Sequence, residues 1–367
     1  DLKTQVDSEF RSELKLDGNL APRLAPQGDS FKIPSDKQEA WYATQSASEL
    51  ADVLISYQNP IGGWTKHLSV SEGVRRSGVH WSSQGSIERP RYVGTFDNGS
   101  TTYQILFLAR MQRLTDRQDC KLAVEKGLEF ILRAQYPNGG WPQIYPLEGG
   151  YHDDITFNDD AMTHVLEVLD KVARRYGDFE FVSESLRQRC SESFDRGIQC
   201  IIATQQNSGN RPTLWCAQHD ALTLKPSKAR AMEPESLSGS ESVGILKLLM
   251  SIEKPSPSII HAIEGGLDWF ENHRIQGPRP SKTSMTDETS SHDAEKDKVK
   301  SGEVYWARFY DLKTHKPIYP GRDGIIYESF ADMAKNNRLG YDYTTTKPLS
   351  LLGTSQKKWR KQLQTVR

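Results

Sequence analysis

One short segment recurs along the chain. Gln58-Asn-Pro-Ile-Gly-Gly-Trp64 returns as Gln135-Tyr-Pro-Asn-Gly-Gly-Trp141, and a degenerate third copy runs from Gln206 to Trp215. The tryptophans are 77 and 74 residues apart, too long for a solenoid module of one hairpin but suited to two helices with generous loops. Ala47, Leu50, Val53, Leu54 and Tyr57 fall at helical spacing before the first copy. Cys120, Val124, Leu128, Ile131 and Leu132 do so before the second, and Phe194, Ile198, Ile201 and Ile202 before the third. Each copy is therefore predicted to end a helix. Pro and paired Gly stop helix growth and supply backbone angles that other residues avoid, while Trp anchors the following loop against neighbouring helices. The expected fold is mainly α: three helical-hairpin repeats closed as an (α/α)₃ toroid.

A second helix follows each copy, and its start is polar. Phe96-Asp97-Asn98-Gly99-Ser100-Thr101-Thr102 leads into Ile105 and Leu108, and Phe157-Asn158-Asp159-Asp160-Ala161-Met162 into Val165 and Leu169. The third start is read as Glu233-Pro234-Glu235-Ser236-Leu237, ahead of Val243 and Leu246. Such residues ordinarily cap helices. In a three-fold arrangement, equivalent starts gather on one rim and become candidate ligands around one cleft. The third repeat departs from the others by bringing cations, Lys225, Lys228 and Arg230, where the first two bring carboxylates; Arg308 and Arg322 add to them. Acids facing arginines suit a carboxylate substrate assisted by a hard cation, because Ca²⁺ or Mg²⁺ prefers oxygen ligands and Arg grips a carboxylate with two parallel hydrogen bonds.

Charge narrows the classes of partner. The 47 basic and 48 acidic residues nearly cancel, which gives no global electrostatic case for nucleic acid or a membrane surface. No apolar run approaches the roughly 20 residues that span a bilayer. The chain opens Asp1-Leu2-Lys3, a start compatible with a leader already removed. Cys120, Cys190 and Cys200 lie in apolar helical patterns and read as core; a Cys200–Cys216 bridge is left open. Residues 1–40 read as an extended N-terminal segment, 41–355 as the catalytic domain and 356–367 as a tail. The polar stretch 73–91 reads as a surface excursion and the charged stretch 281–302 as a mobile loop. Val304–Asp311 alternates like a strand and Ile325–Tyr327 offers a paired segment, so a small sheet is expected near the C-terminus.

Several ordered motifs together resemble those of pectate lyases of polysaccharide lyase family 10. They are Asn59-Pro-Ile-Gly-Gly-Trp64, Thr95-Phe-Asp-Asn-Gly-Ser-Thr-Thr102, Asn138-Gly-Gly-Trp-Pro-Gln-Ile-Tyr-Pro146, Ile155-Thr-Phe-Asn-Asp-Asp-Ala-Met162, Lys228-Ala-Arg-Ala-Met-Glu-Pro-Glu-Ser236 and Tyr319-Pro-Gly-Arg-Asp-Gly324. The resemblance spans residues 40 to 355. It implies a secreted, monomeric enzyme that cleaves polygalacturonate by Ca²⁺-assisted β-elimination.

Elimination from a 4-linked galacturonan removes the C5 proton beside the uronate carboxylate and expels the C4 oxygen. That proton is unreactive until cations withdraw charge from the carboxylate. By the resemblance, Asp97, Asn98 and Asp159 hold the calcium, with Asp160 as the alternative register. Arg230 is the base, Arg308 and Arg322 clamp carboxylates, and Lys228 binds an adjacent sugar. A guanidinium with a pKa of about 12.5 or higher serves as a base only under alkaline conditions. Glu233 reads as an orienting partner for arginine and His219 as structural. A toroidal glycoside hydrolase using Asp159 or Asp160 would leave saturated ends instead. A terpenoid cyclase would need an apolar cavity, which the arginines oppose, and a non-catalytic polysaccharide-binding domain would not need Arg230.

Overall fold

The computed structural model describes residues 2–16, 21–280, 303–337 and 342–366; the segment 281–302, expected to be a mobile loop, lies outside the described residues. Helix dominates, and the chain forms two compact units, Asp1–Gln199 and Cys200–Arg367. The first contains α1 (Leu2–Leu16), α2 (Gln45–Ser56), α3 (Thr102–Thr115), α4 (Gln118–Ala134), α5 (Ala161–Ala173) and most of α6 (Glu184–Thr204). The second contains α7 (Glu241–Ser251), α8 (Pro257–Asn272), α9 (Phe330–Asn336), α10 (Lys347–Ser350) and α11 (Gln356–Val366).

As expected, α2, α4 and α6 end at the repeated segment and α3, α5 and α7 follow it. Hydrogen bonding explains the glutamine. Gln58 Nε2 donates to Gly62 O and Ala123 O, both at 2.9 Å, and Gln135 Nε2 to Gly139 O at 3.0 Å and Ser193 O at 2.8 Å. Each side chain satisfies one carbonyl of its own loop and one on a later helix. In the third repeat the same work is done by Gln205, which donates to Thr213 O at 2.9 Å and Ala262 O at 3.0 Å. Gln206, the residue expected there, instead donates to Thr204 O. The third copy lacks the Gly-Gly pair, and Gln205 stands ten residues before Trp215 where Gln58 and Gln135 stand six before their tryptophans, so spacing alone does not mark the equivalent glutamine. The glycines permit close approach: a Cβ on Gly62 (φ +106°) would lie 2.3 Å from Lys126 O, and one on Gly139 (φ +93°) 2.1 Å from Arg196 O.

Trp64, Trp141 and Trp215 are buried. Their Nε1 groups donate to Leu54 O, Ile131 O and Ile201 O, each on the preceding helix, at 2.7, 2.9 and 2.7 Å. They are loop anchors and present no face for a sugar.

The N-terminal end differs from expectation. The N-terminal segment starts as α1, whose Val6 and Phe10 are buried, with the Phe10 ring edge-on to His80 at 4.9 Å. Glu13 takes Arg75 Nη2 at 2.6 Å and Gly78 N at 2.8 Å, so the polar excursion is tied to this helix. Residues 356–366 are helical, and Trp359 is 1% exposed. The expected sheet is present. Ile326–Tyr327, Pro317–Pro320, Phe309–Tyr310 and Leu237–Ser238 form one antiparallel sheet in that order, and Thr344–Thr345, Val304–Ala307 and Ile275–Gln276 a second. All four cysteines are buried and free, so no Cys200–Cys216 bridge forms. Burial pushes the Cys120, Cys190 and Cys200 thiols up to about 12.

Candidate active site

In the first unit, the starts of α3 and α5 are each preceded by a short 3₁₀ turn, Asp97–Gly99 and Asn158–Asp160, and the two turns pack against each other. Their backbones match. Thr95 N donates to Trp64 O and Thr156 N to Trp141 O, and three residues past these threonines Asn98 (φ 53°, ψ 30°) matches Asp159 (φ 52°, ψ 32°) in conformation. Asp97 thus corresponds to Asn158, and the two repeats carry acid–amide and amide–acid in mirrored order. Left-handed angles are tolerated best by Asn, Asp and Gly, and Gly99 and Asp160 also have positive φ. Neither helix start uses a side-chain cap, so these carboxylates are not serving the role that such residues usually serve.

Asp97 is 3% exposed; its Oδ2 receives Lys66 Nζ at 2.8 Å, and its Oδ1 is buried with no hydrogen-bond partner. Asp159 is exposed, and Asn158 Nδ2 donates to its Oδ2 at 2.9 Å. Asn98 is half-buried. Burial raises the Tyr103 hydroxyl, with the charges of Glu167 and then Asp160 adding to it. The Lys66 ammonium lies 3.9 Å from the centre of the Tyr92 ring. Burial pulls Lys66 down, but Asp97 and Tyr92 outweigh it and its pKa is raised. Tyr92 Oη is 2.9 Å from His152 Nε2, and burial followed by Arg91 holds the imidazole below its ordinary pKa. Lys66, Tyr92, His152 and Asn158 were not singled out from the sequence; only the position of Lys66, two residues past an anchored Trp, could have pointed to it.

The second unit holds the arginines. Arg230 Nε and Nη2 donate to Glu233 Oε2 and Oε1 at 2.7 and 2.6 Å, a two-pronged grip. The Arg230 side chain is 49% exposed and that of Glu233 only 7%, so the carboxylate is fixed and the guanidinium faces outward from it. This matches the orienting role expected of Glu233. Arg308 Nη2 donates to Glu241 Oε1 at 2.7 Å, a pair buried to 15% and 5% side-chain exposure. Arg322 is exposed on the turn after Pro317–Pro320. Burial raises the Tyr343 hydroxyl, while the charges of Arg322 and Arg308 lower it. That hydroxyl donates to Pro320 O at 2.6 Å. Lys228 is exposed, with no ion-pair partner among the described residues. His219 is fully buried, its Nδ1 is 3.0 Å from Leu224 O, and burial pushes it down to about 4, consistent with a structural role.

The third helix start needs correction. Trp215 O receives Ser238 N, as Trp64 O receives Thr95 N, and α7 begins at Glu241. The equivalent turn is thus Ser238–Glu241, not Glu233–Leu237, and it too carries an acid: Glu241, bonded to Ser238 Oγ and to Arg308. The third repeat does not replace its carboxylate with cations; it neutralises the carboxylate with one.

The mainly helical fold, with its Trp-anchored hairpins, is that of a polysaccharide lyase. The chain belongs to the pectic acid lyase family, whose model matches residues 58–352. A family 10 polysaccharide lyase from Cellvibrio cellulosa is similar at 33% identity and a TM-score of 0.73, over 90% of this chain and 98% of that one. A mutant of a family 10 polysaccharide lyase from the same organism, solved in complex with trigalacturonic acid, is 32% identical with a TM-score of 0.73, over 87% of this chain and 95% of that one. No curated protein matches.

Proposed function

We propose that this lyase cleaves polygalacturonate by calcium-assisted β-elimination with Arg230 as base, leaving unsaturated oligogalacturonides, and that it acts outside the cell. The observation that carries this reading is the two-pronged hold of Glu233 on Arg230, in the unit that also holds Arg308 and Arg322. The relative solved with trigalacturonic acid supports the substrate class. No described helix is long and apolar enough to cross a membrane.

The oxygen donors fit a hard cation. Asp97 Oδ1 is buried and without a hydrogen-bond partner, and Asp97, Asn98 and Asp159 offer the carboxylate and amide oxygens that Ca²⁺ prefers. No group of three His, Cys, Asp or Glu side chains among the described residues is arranged to hold a metal, so the remaining coordination would come from substrate. When bound, calcium withdraws charge from the uronate carboxylate and makes the C5 proton more acidic. Arg308, pinned by Glu241, and Arg322 grip uronate carboxylates, while Lys228 reaches a neighbouring sugar. Arg230, oriented by Glu233 and in the neutral form that alkaline pH favours, takes the C5 proton; the C–H electrons become the C4–C5 double bond as the C4 oxygen departs.

Polygalacturonate with Ca²⁺ at alkaline pH should show rising ultraviolet absorbance from unsaturated uronides, abolished by chelator. Arg230→Ala and Arg230→Lys should retain substrate binding and lose roughly 10²–10⁴-fold in rate, the range for a general base. Asp97→Ala should be partly rescued by added calcium. Saturated products, or no products, would refute the assignment.

A further inference from the structure

Resting on the calcium assignment above, we infer that Lys66 is a built-in substitute cation for the metal at Asp97. It makes calcium binding depend on the arrival of substrate. Three observations carry this. First, the ammonium occupies one oxygen of Asp97 at 2.8 Å, while the other oxygen is buried and unpartnered. A divalent ion on the second oxygen would sit within a few ångströms of an existing positive charge, and at short range in a partly buried site such repulsion is weakly screened.

Second, the lysine keeps a partner when the acid turns to the metal. The Tyr92 ring lies 3.9 Å from the same ammonium that bonds Asp97, and this contact with an aromatic face does not need the Asp97 carboxylate. The Lys66 side chain is 15% exposed against 4% for Asp97, so the lysine is the more accessible partner of the pair. Its backbone is held nearby, because Trp64 is buried and hydrogen-bonded at both its backbone N and its ring N.

Third, the lysine is specific to this repeat. The residues two past Trp141 and Trp215 are Gln143 and Ala217, both uncharged. Only the repeat with a buried Asp on its turn carries the cation. Without sugar, the pair is electrically satisfied and calcium gains little. With an oligogalacturonate present, its carboxylates supply negative charge for both cations, the metal takes Asp97, and Lys66, still against Tyr92, turns its charge to the incoming sugar.

The test is calorimetric titration of Ca²⁺ into sugar-free protein, comparing wild type, Lys66→Met, Lys66→Gln, Lys66→Arg and Asp97→Ala, with melting curves to confirm folding. A second set in the Arg230→Ala background adds trigalacturonate without turnover. Wild type should bind calcium about tenfold more tightly with the sugar than without it, a coupling in the usual range. Lys66→Met and Lys66→Gln should bind sugar-free calcium about tenfold more tightly than wild type and lose most of the sugar-dependent gain, whereas Lys66→Arg should behave as wild type. The inference is overturned if Asp97→Ala abolishes binding but both neutral lysine variants match wild type. If Asp97→Ala leaves the titration unchanged, the metal is not at Asp97, and the calcium assignment falls together with the role of Lys66.

Discussion

Changing Glu241 to Gln tests whether the buried Glu241–Arg308 pair is structural and functional at once. The two side chains are 5% and 15% exposed and meet at 2.7 Å; Glu241 also bonds Ser238 Oγ, which in turn receives the Glu241 backbone N–H at 3.1 Å. At a charge separation of about 4 Å and an effective dielectric of about 20, the attraction is about 4 kcal/mol before desolvation is subtracted. Removing one member of a buried pair typically costs about 3–5 kcal/mol, because the other charge is stranded. Gln keeps the volume and an acceptor oxygen, so Glu241→Gln should cost about 2–3 kcal/mol. For a unit of this size each kcal/mol lowers the melting temperature by about 2–4 °C, giving a drop of about 4–12 °C. Thermal and urea unfolding of the variant reads this directly. The companion Glu241→Gln/Arg308→Met protein should recover part of the loss, since neither charge is then stranded. A weaker KM for polygalacturonate with little change in kcat should accompany the single variant, because a loosened Arg308 binds carboxylate less well. A Glu241→Gln protein within about 0.5 kcal/mol of wild type would show that the pair contributes nothing net and that water or another group replaces it.

Gly139→Ala should destabilise by at least about 2 kcal/mol in urea unfolding, since φ is +93° and the new Cβ would lie 2.1 Å from Arg196 O, a backbone atom with little room to yield; an unchanged midpoint would mean that the close approach relaxes freely. Acid sensitivity should follow from His80 and His219, each pushed down to about 4, by burial and then Arg75 in the first case and by burial in the second. Their folded pKa values lie below the unfolded value of about 6.5, so the unfolded chain binds more protons between the two. Stability therefore falls as pH drops from about 6.5 to about 4, by about 3 kcal/mol per histidine. His80 Nδ1 accepts from Ser82 N at 2.9 Å, a bond that protonation there would break. Urea midpoints measured from pH 7 to 4 should be flatter for His80→Gln and His219→Gln than for wild type, and equal slopes would refute the assignment.

Sequence alone located the helix ends, because Pro, paired Gly and a trailing Trp are local signals whose consequences stay local. It also placed Asp97 and Asp159 on turns beside helix starts, and it marked the strand-forming stretch Val304–Asp311 that includes Arg308; Arg230 lies well ahead of α7, outside any helix-start turn. What it could not decide were pairings across long stretches of chain. The α1 helix was read as extended because its apolar residues are few, and their worth appears only where Phe10 meets His80. The third repeat was misaligned at both ends, at Gln205 and at the Ser238–Glu241 turn, because equivalence there rests on which carbonyl Gln205 reaches and which residue bonds Trp215 O, not on spelling. Glu241 finds Arg308 from 67 residues away and Lys66 finds Asp97 from 31. The residue types at such positions are common, and their partners are fixed only when the fold closes around them. Burial then turns an ordinary surface charge into one that must be matched.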